Sequence, residues 1–349
     1  MMTKSRRLVV HIGPHKTAST YIQANLLENR SAMGRVGWVY PTEGTDGQMA
    51  HHHLAHNSDE YLSVRGPHFH TLKALREASS SGGNNIVLSA EGFCRWKPTN
   101  FDILADILGF DDYELVYAVR DPLDVFASFW AEEVKQGRSL GFAERFCQEF
   151  ADPMGSRILN PMRDINPLLA RERARVHAIP YDILYRRGID IFEHLTKSIL
   201  GLKEISPRIS RRVNVKYQIE LTEFLRLMTL IEGRGKPTIG ADLRFRFTEH
   251  VSESEQLELR KLVQENASLA RRVIKVPGDV LFRIRVEQIL KNRLQTFWSV
   301  EVGQDEPLFS AEPRRYVYYD AYLLSMTEPV RSAADALVQR LSGLKRTPE

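Results

Sequence analysis

At 349 residues, with 43% hydrophobic and 26% charged, the chain is long enough to bury a sizeable core and ordinary in composition. Its 48 Lys and Arg are nearly matched by 44 Asp and Glu; the net charge of +4 argues against a nucleic-acid track and for small anionic ligands. Cys94 and Cys147 stand in no paired or ligand-like spacing, so neither a disulfide framework nor a zinc site is expected, and a reducing, cytoplasmic setting fits.

The opening Met1 to Arg7 is basic, but the apolar run Leu8 to Val10 is broken at once by His11, Gly13, Pro14 and Lys16. It is too short for a signal-peptide core or a membrane span, and no later stretch approaches a span, so any membrane contact is expected to be peripheral. Leu8 to Ile12 reads as a buried strand, and Gly13 to Lys16 as a turn opening a helix over about Thr17 to Glu28. Further strands are expected at Val36 to Tyr40, Asn85 to Leu88, Glu114 to Val119 and Val176 to Pro180. Helical patterns at Leu72 to Ala78, Phe101 to Leu108, Pro122 to Gln136 and Phe142 to Phe150 separate them. Alternating strands and helices imply a three-layer α/β core with a mostly parallel sheet.

Beyond Asp190 helices are expected at Ile191 to Leu200, Ile219 to Ile231 and Glu253 to Arg272, with a polar, basic loop over the site at Pro237 to Thr248. The expected organisation is an α/β domain over 1–278 and a helical, aromatic-rich extension over 279–349. That extension ends in an amphipathic helix whose apolar face is Val330, Ala334, Leu337, Val338 and Leu341.

Two segments carry chemistry. Gly13-Pro14-His15-Lys16-Thr17-Ala18-Ser19-Thr20 lies between a strand and a helix, where unpaired backbone N–H groups and the positive dipole end bind phosphate or sulfate. Lys16 adds a mobile charge and Thr17, Ser19 and Thr20 add hydroxyls; the plainer reading is a capped helix start. It is not a Walker A loop, because His15 holds the place of the glycine before the lysine. In Tyr117-Ala118-Val119-Arg120-Asp121-Pro122 a strand ends at Arg120, Asp121 can cap the next helix and Pro122 suits its first turn. Arg120, with Ser128 further along that helix, can grip one phosphate from two sides; a surface Arg–Asp pair is the alternative.

Together these segments resemble the PAPS-dependent sulfotransferases, in their bacterial carbohydrate-acting branch. Gly13 to Thr20 is similar to the family's 5′-phosphosulfate loop, with Ala18 where Gly is frequent. Arg120, Pro122 and Ser128 match its 3′-phosphate motif. Softer likenesses are Ile179 to Leu184, with Asp182 in place of Glu, Arg212 to Val215, and Glu265 to Ala270; the resemblance covers roughly Leu8 to Val273. It implies a P-loop-like fold that binds PAPS as donor, releases PAP, uses no metal, and sulfates a saccharide or glycolipid hydroxyl. Arg212 is placed by it among the donor-binding residues. An ATP-dependent small-molecule kinase and an inactive nucleotide- or glycan-binding module are the other classes.

Sulfuryl transfer needs charge on the leaving phosphate, supplied by Lys16, and a base for the acceptor's proton. Glu91, after the strand preceding the Arg120 strand, stands first; the plainer reading is a turn cap. His51 and His52, of the triplet His51-His52-His53, stand second, against a metal patch or a solvated loop. Glu43 lies in the same region.

Overall fold

A computed structural model describes residues 6–209, 217–233 and 242–344. Strand β1 (Leu8–Gly13) is buried along its whole length, as expected of an apolar run with both faces covered. There follow α1 (Ser19–Glu28), α2 (Arg30–Arg35), β2 (Trp38–Val39), α3 (His52–His56), α4 (Ser58–Leu62) and α5 (Phe69–Ser81). Next come β3 (Asn85–Ser89), a 3-10 turn at Glu91–Arg95, α6 (Pro98–Leu108), β4 (Tyr113–Val119), α7 (Pro122–Lys135) and α8 (Phe142–Ala151). Then α9 (Met162–Leu169), β5 (Ala174–Pro180), α10 (Tyr181–Arg186) and α11 (Ile191–His194) lead into a π-type turn at Leu195–Leu200. The remainder is α12 (Ile219–Glu232), α13 (Asp242–His250), α14 (Glu253–Asn266), β6 (Arg271–Val276), α15 (Leu281–Leu294), β7 (Arg314–Tyr319), α16 (Ala321–Ser325) and α17 (Glu328–Ser342).

The chain forms two compact units that alternate in sequence. The first comprises Met1–Val125, Asn160–Asn214 and Leu281–Ala311; the second comprises Phe126–Leu159, Val215–Val280 and Glu312–Glu349. The segment 279–349, read from the sequence as one extension, is thus shared: α15 belongs to the first unit, and β7, α16 and α17 to the second.

In the first unit, the described strands form a five-stranded, all-parallel sheet in the order β2-β3-β1-β4-β5. Val9, Val87, Val116, Ala118 and Ile179 face one way, against Tyr21, Ile22 and Leu26 of α1 and Phe192 of α11. The alternate residues Leu8, Val10, Ile86, Leu88 and Leu115 are also fully buried, so the opposite face is covered too. There Tyr113 stacks on Phe101 of α6 at 6.1 Å. The expected α/β sheet is therefore present, and β5 pairs with β4 over all seven of its residues. Beyond β5, Ala178 bridges to Trp298.

In the second unit, α12, α14 and α17 share a core in which Val330, Ala334, Leu337, Val338 and Leu341 are all buried, the face expected of the last helix. Phe126, Trp130, Phe142, Phe146 and Tyr316 form an aromatic cluster beside it. The helix that opens at Glu253 is expected to run to Arg272. It ends at Asn266, and Arg271–Val276 pairs antiparallel with β7. Val273, Ile274 and Val276 are β-branched, which favours a strand once a partner is available. The expected loop at 237–248 lies outside the described residues up to 241, and from Asp242 it is α13.

Two boundaries in the first unit also differ. The strand expected over Val36 to Tyr40 shrinks to Trp38–Val39, because α2 runs up to Arg35 and Gly37 turns the chain at φ 79°. Helix α1 begins at Ser19 and not Thr17, because Lys16 (φ 68°) and Ala18 (φ 65°) are left-handed and cannot join a right-handed helix. Among the described residues no helix is long and apolar enough to cross a membrane.

Candidate functional site

The connection after β1 leads to the β2 edge of the sheet, and that after β4 leads to the β5 edge. The carboxyl ends of adjacent β1 and β4 therefore diverge, the position at which open α/β sheets bind ligands. Gly13 to Thr20 leaves β1 there, and Arg120 follows β4 there.

The loop is tied internally. The hydroxyls of Thr17 and Ser19 both donate to the Pro14 carbonyl, at 2.7 and 3.1 Å, and both residues are buried. They build the turn and do not face outward, whereas His15, Lys16 and Thr20 remain partly exposed at its rim. No side chain among the described residues caps α1, and the first N–H groups of any helix lack intrahelical partners. Asn25 fixes α1 further along: its Oδ1 accepts from the N–H groups of Arg208 and Ile209, at 2.7 and 2.9 Å. Arg212 lies just past this strap, outside the described residues.

Arg120 donates from Nη1 to the carbonyl of Lys16 and lies over the Tyr181 ring at 5.1 Å. Its Nε is buried and has no hydrogen-bond partner among the described residues. The next residue, Asp121, is buried, accepts from the Leu123 N–H to start α7, and pairs with Arg283 at 2.8 Å. Asp182 accepts from the Asp121 N–H at 2.7 Å. Burial pushes the Asp182 carboxyl up to about 6, against that hydrogen bond and with the Asp121 charge adding to the rise. Ser128 lies two turns along α7, half-buried, among the residues of the second unit.

Glu91 opens the turn after β3 against Gly13: a Cβ on Gly13 would stand 3.1 Å from the Glu91 Cα. Its carboxylate is buried, accepts from Gln23 Nε2 at 3.0 Å and lies 3.6 Å from His52 Nε2. Burial raises its pKa, but the Gln23 amide, the His15 and His52 imidazoles and its own N–H outweigh this and hold it below the usual carboxylate range. His15 is lowered in turn by burial, against the Glu91 charge. The carboxylate thus stays ionised at neutral pH.

The histidine triplet divides. His51 is fully buried: Nδ1 accepts from the Ser89 N–H at 3.1 Å, and Nε2 faces the Pro41 carbonyl at 3.1 Å. Burial lowers it to about 4, so it is a neutral brace between two turns with no nitrogen left for an acceptor. His52 is partly exposed beside Glu91, and His53 hydrogen-bonds Tyr61 at 2.9 Å. Glu43 lies half-buried in the turn after β2.

Sequence reasoning did not find Gln23, His11 or Arg283. Gln23 is a polar residue on a helix otherwise buried by Tyr21, Ile22, Ala24 and Leu26, and that anomaly is legible. His11, bonded to the Ser89 hydroxyl at 2.7 Å, and Arg283, which meets Asp121 from 162 residues away, gave no local signal.

Comparisons with protein families, curated proteins and solved structures return no match for this chain.

Proposed function

We propose that the chain is a PAPS-dependent sulfotransferase with a P-loop-like donor domain, acting on a hydroxyl of saccharide or glycolipid type. The observation that carries this reading is the joint between two half-sites far apart in sequence. Arg120 is bonded to the Lys16 carbonyl while a second guanidinium N–H is buried with no hydrogen-bond partner among the described residues. A phosphate between the β1 and β4 ends supplies the acceptor that this group lacks. The strand order, with the loop leaving the central strand, supports the same reading.

In the proposed reaction the acceptor oxygen attacks the sulfur of PAPS, its S–O bond to the 5′-phosphate breaks, and PAP leaves. Lys16 and the α1 N-terminus stabilise the negative charge gathering on the leaving phosphate. Glu91 and His52 act as a pair. The imidazole, 3.6 Å from the carboxylate, takes the hydroxyl proton, and the fixed carboxylate stabilises the resulting imidazolium.

The test is a melting-temperature screen, since a ligand that binds only the native state raises apparent stability. PAP should raise the melting temperature more than AMP or ATP with Mg²⁺. Equal shifts from PAP and AMP would remove the 3′-phosphate site, and a dominant response to ATP with Mg²⁺ would favour a kinase.

A further inference from the structure

The third residue of the triplet, His53, takes no part in the proposed chemistry. It leaves α3 on a different face from His52 and meets α4 and the start of α5. Ligand atoms of His53, Glu60 and His68 all lie within 4.8 Å of one another, and His68 Nε2 is 3.5 Å from Glu60 Oε2. In a tetrahedral zinc site, N and O ligands at 2.0–2.2 Å from the ion stand about 3.4 Å apart. The His68–Glu60 separation is already of that order, and the rest closes by small rotamer changes.

Two features hold these groups together. The backbone between Glu60 and His68 doubles back so tightly that a Cβ on Gly66 would meet the Glu60 carbonyl oxygen at 2.2 Å, and the His68 N–H donates to that same oxygen at 3.1 Å. Local chain geometry therefore sets the two side chains on one side. Tyr61, buried beneath them, has its hydroxyl 2.9 Å from His53 Nδ1 and its ring stacked on His68 at 4.8 Å and 22°. With His53 Nδ1 engaged, Nε2 remains to bind an ion; outer partners of this kind fix the tautomer and orientation of ligating histidines.

We propose that His53, Glu60 and His68 form a divalent metal site of zinc type, oriented by Tyr61, that pins α3 to α4 and α5. Two imidazoles and one carboxylate suit Zn²⁺; magnesium and calcium prefer all-oxygen sets, and a Cu(I) site wants sulfur. Three protein ligands leave a fourth position for water, and the partial exposure of His68 and Glu60 gives the ion an entry path. The inference is independent of the sulfotransferase reading, which uses His52 and Glu91.

The test uses full-length, tag-free protein stripped with chelator and titrated with Zn²⁺, and in parallel with Co²⁺ to read the visible absorption of a tetrahedral ion. One equivalent should bind. His68→Ala and Glu60→Gln should each weaken binding at least tenfold, and Tyr61→Phe by about tenfold, the scale of a lost outer partner. His52→Ala and the exposed His70→Ala should leave binding unchanged. The three weakened variants alter different groups, so a folding defect in one leaves the others to decide. The proposal is overturned if the wild type retains no equivalent, or if His52→Ala weakens binding as much as His68→Ala does.

Discussion

The guanidinium of Arg120 is hydrogen-bonded to the main-chain carbonyl of Lys16, 104 residues earlier. The residue expected to read the 3′-phosphate thus also shapes the loop expected to hold the 5′-phosphosulfate. Arg120→Ala should therefore weaken PAP by about 10- to 100-fold, the worth of one or two charge-assisted hydrogen bonds. AMP should weaken too, by a smaller factor, because the loop loses its tie. Calorimetric titration of both ligands checks this; an unchanged PAP affinity would separate Arg120 from donor binding.

Glu91→Gln and His52→Ala should each lower turnover by about 10² or more while PAP affinity survives, the scale of a lost general base. His51→Ala should act otherwise. It removes a brace between Pro41 and Ser89 and should cost roughly 2–4 kcal/mol of stability through a cavity and unpaired backbone groups. Turnover per folded molecule should stay within a few-fold of wild type. If His52→Ala is as active as wild type while Glu91→Gln is not, the carboxylate itself is the base.

Ala18 sits at φ 65° immediately before α1, where a Cβ costs roughly 1–2 kcal/mol. Ala18→Gly relieves this but enlarges the unfolded ensemble, offsetting about 0.4–1 kcal/mol. The net should be a gain of roughly 0.5–1 kcal/mol in chemical denaturation, and Ala18→Val should lose stability. A loss on Ala18→Gly would mean that the left-handed turn carries no strain.

Asp182 titrates near 6 in the folded protein, through burial, against about 3.9 unfolded. An acid whose folded pKa is raised binds protons more tightly when folded, so its penalty is absent below about pH 4, grows between 4 and 6, and is complete above 6. Asp182→Asn keeps the acceptor for the Asp121 N–H and removes that penalty. It should stabilise the protein by roughly 1–3 kcal/mol at pH 7 and by nothing below pH 4. Parallel denaturation at pH 4 and 7 reads this; a gain of equal size at both would place the effect elsewhere.

Arg283 and Asp121 form a buried ion pair at 2.8 Å, with Arg283 also donating to the Ser310 carbonyl and lying over Phe309. Arg283→Ala leaves the Asp121 charge buried and should cost about 3–5 kcal/mol. Adding Asp121→Asn should recover part of that loss, a coupling that a double-mutant cycle measures. Additive effects would show that the pair is not the source.

The α/β class, the five parallel strands and the strand-loop-helix setting of Gly13 to Thr20 and of Arg120 are legible in the residues alone, because these rest on periodicity and turn chemistry within a few residues. Glu91 is legible only as a carboxylate after the strand preceding the Arg120 strand; its place against Gly13 comes from the pairing of β3 with β1. The surroundings of each member of the histidine triplet, by contrast, are set by long-range packing. Three adjacent histidines look alike in sequence, yet one is sealed against Ser89, one meets Glu91 and one meets Tyr61, as the packing around α3 dictates. The same holds for the strand at Arg271–Val276 and for the partner of Asp121. A β-ribbon needs β7 from about 40 residues on, and a buried carboxylate takes whichever cation the fold brings to it; neither is encoded locally.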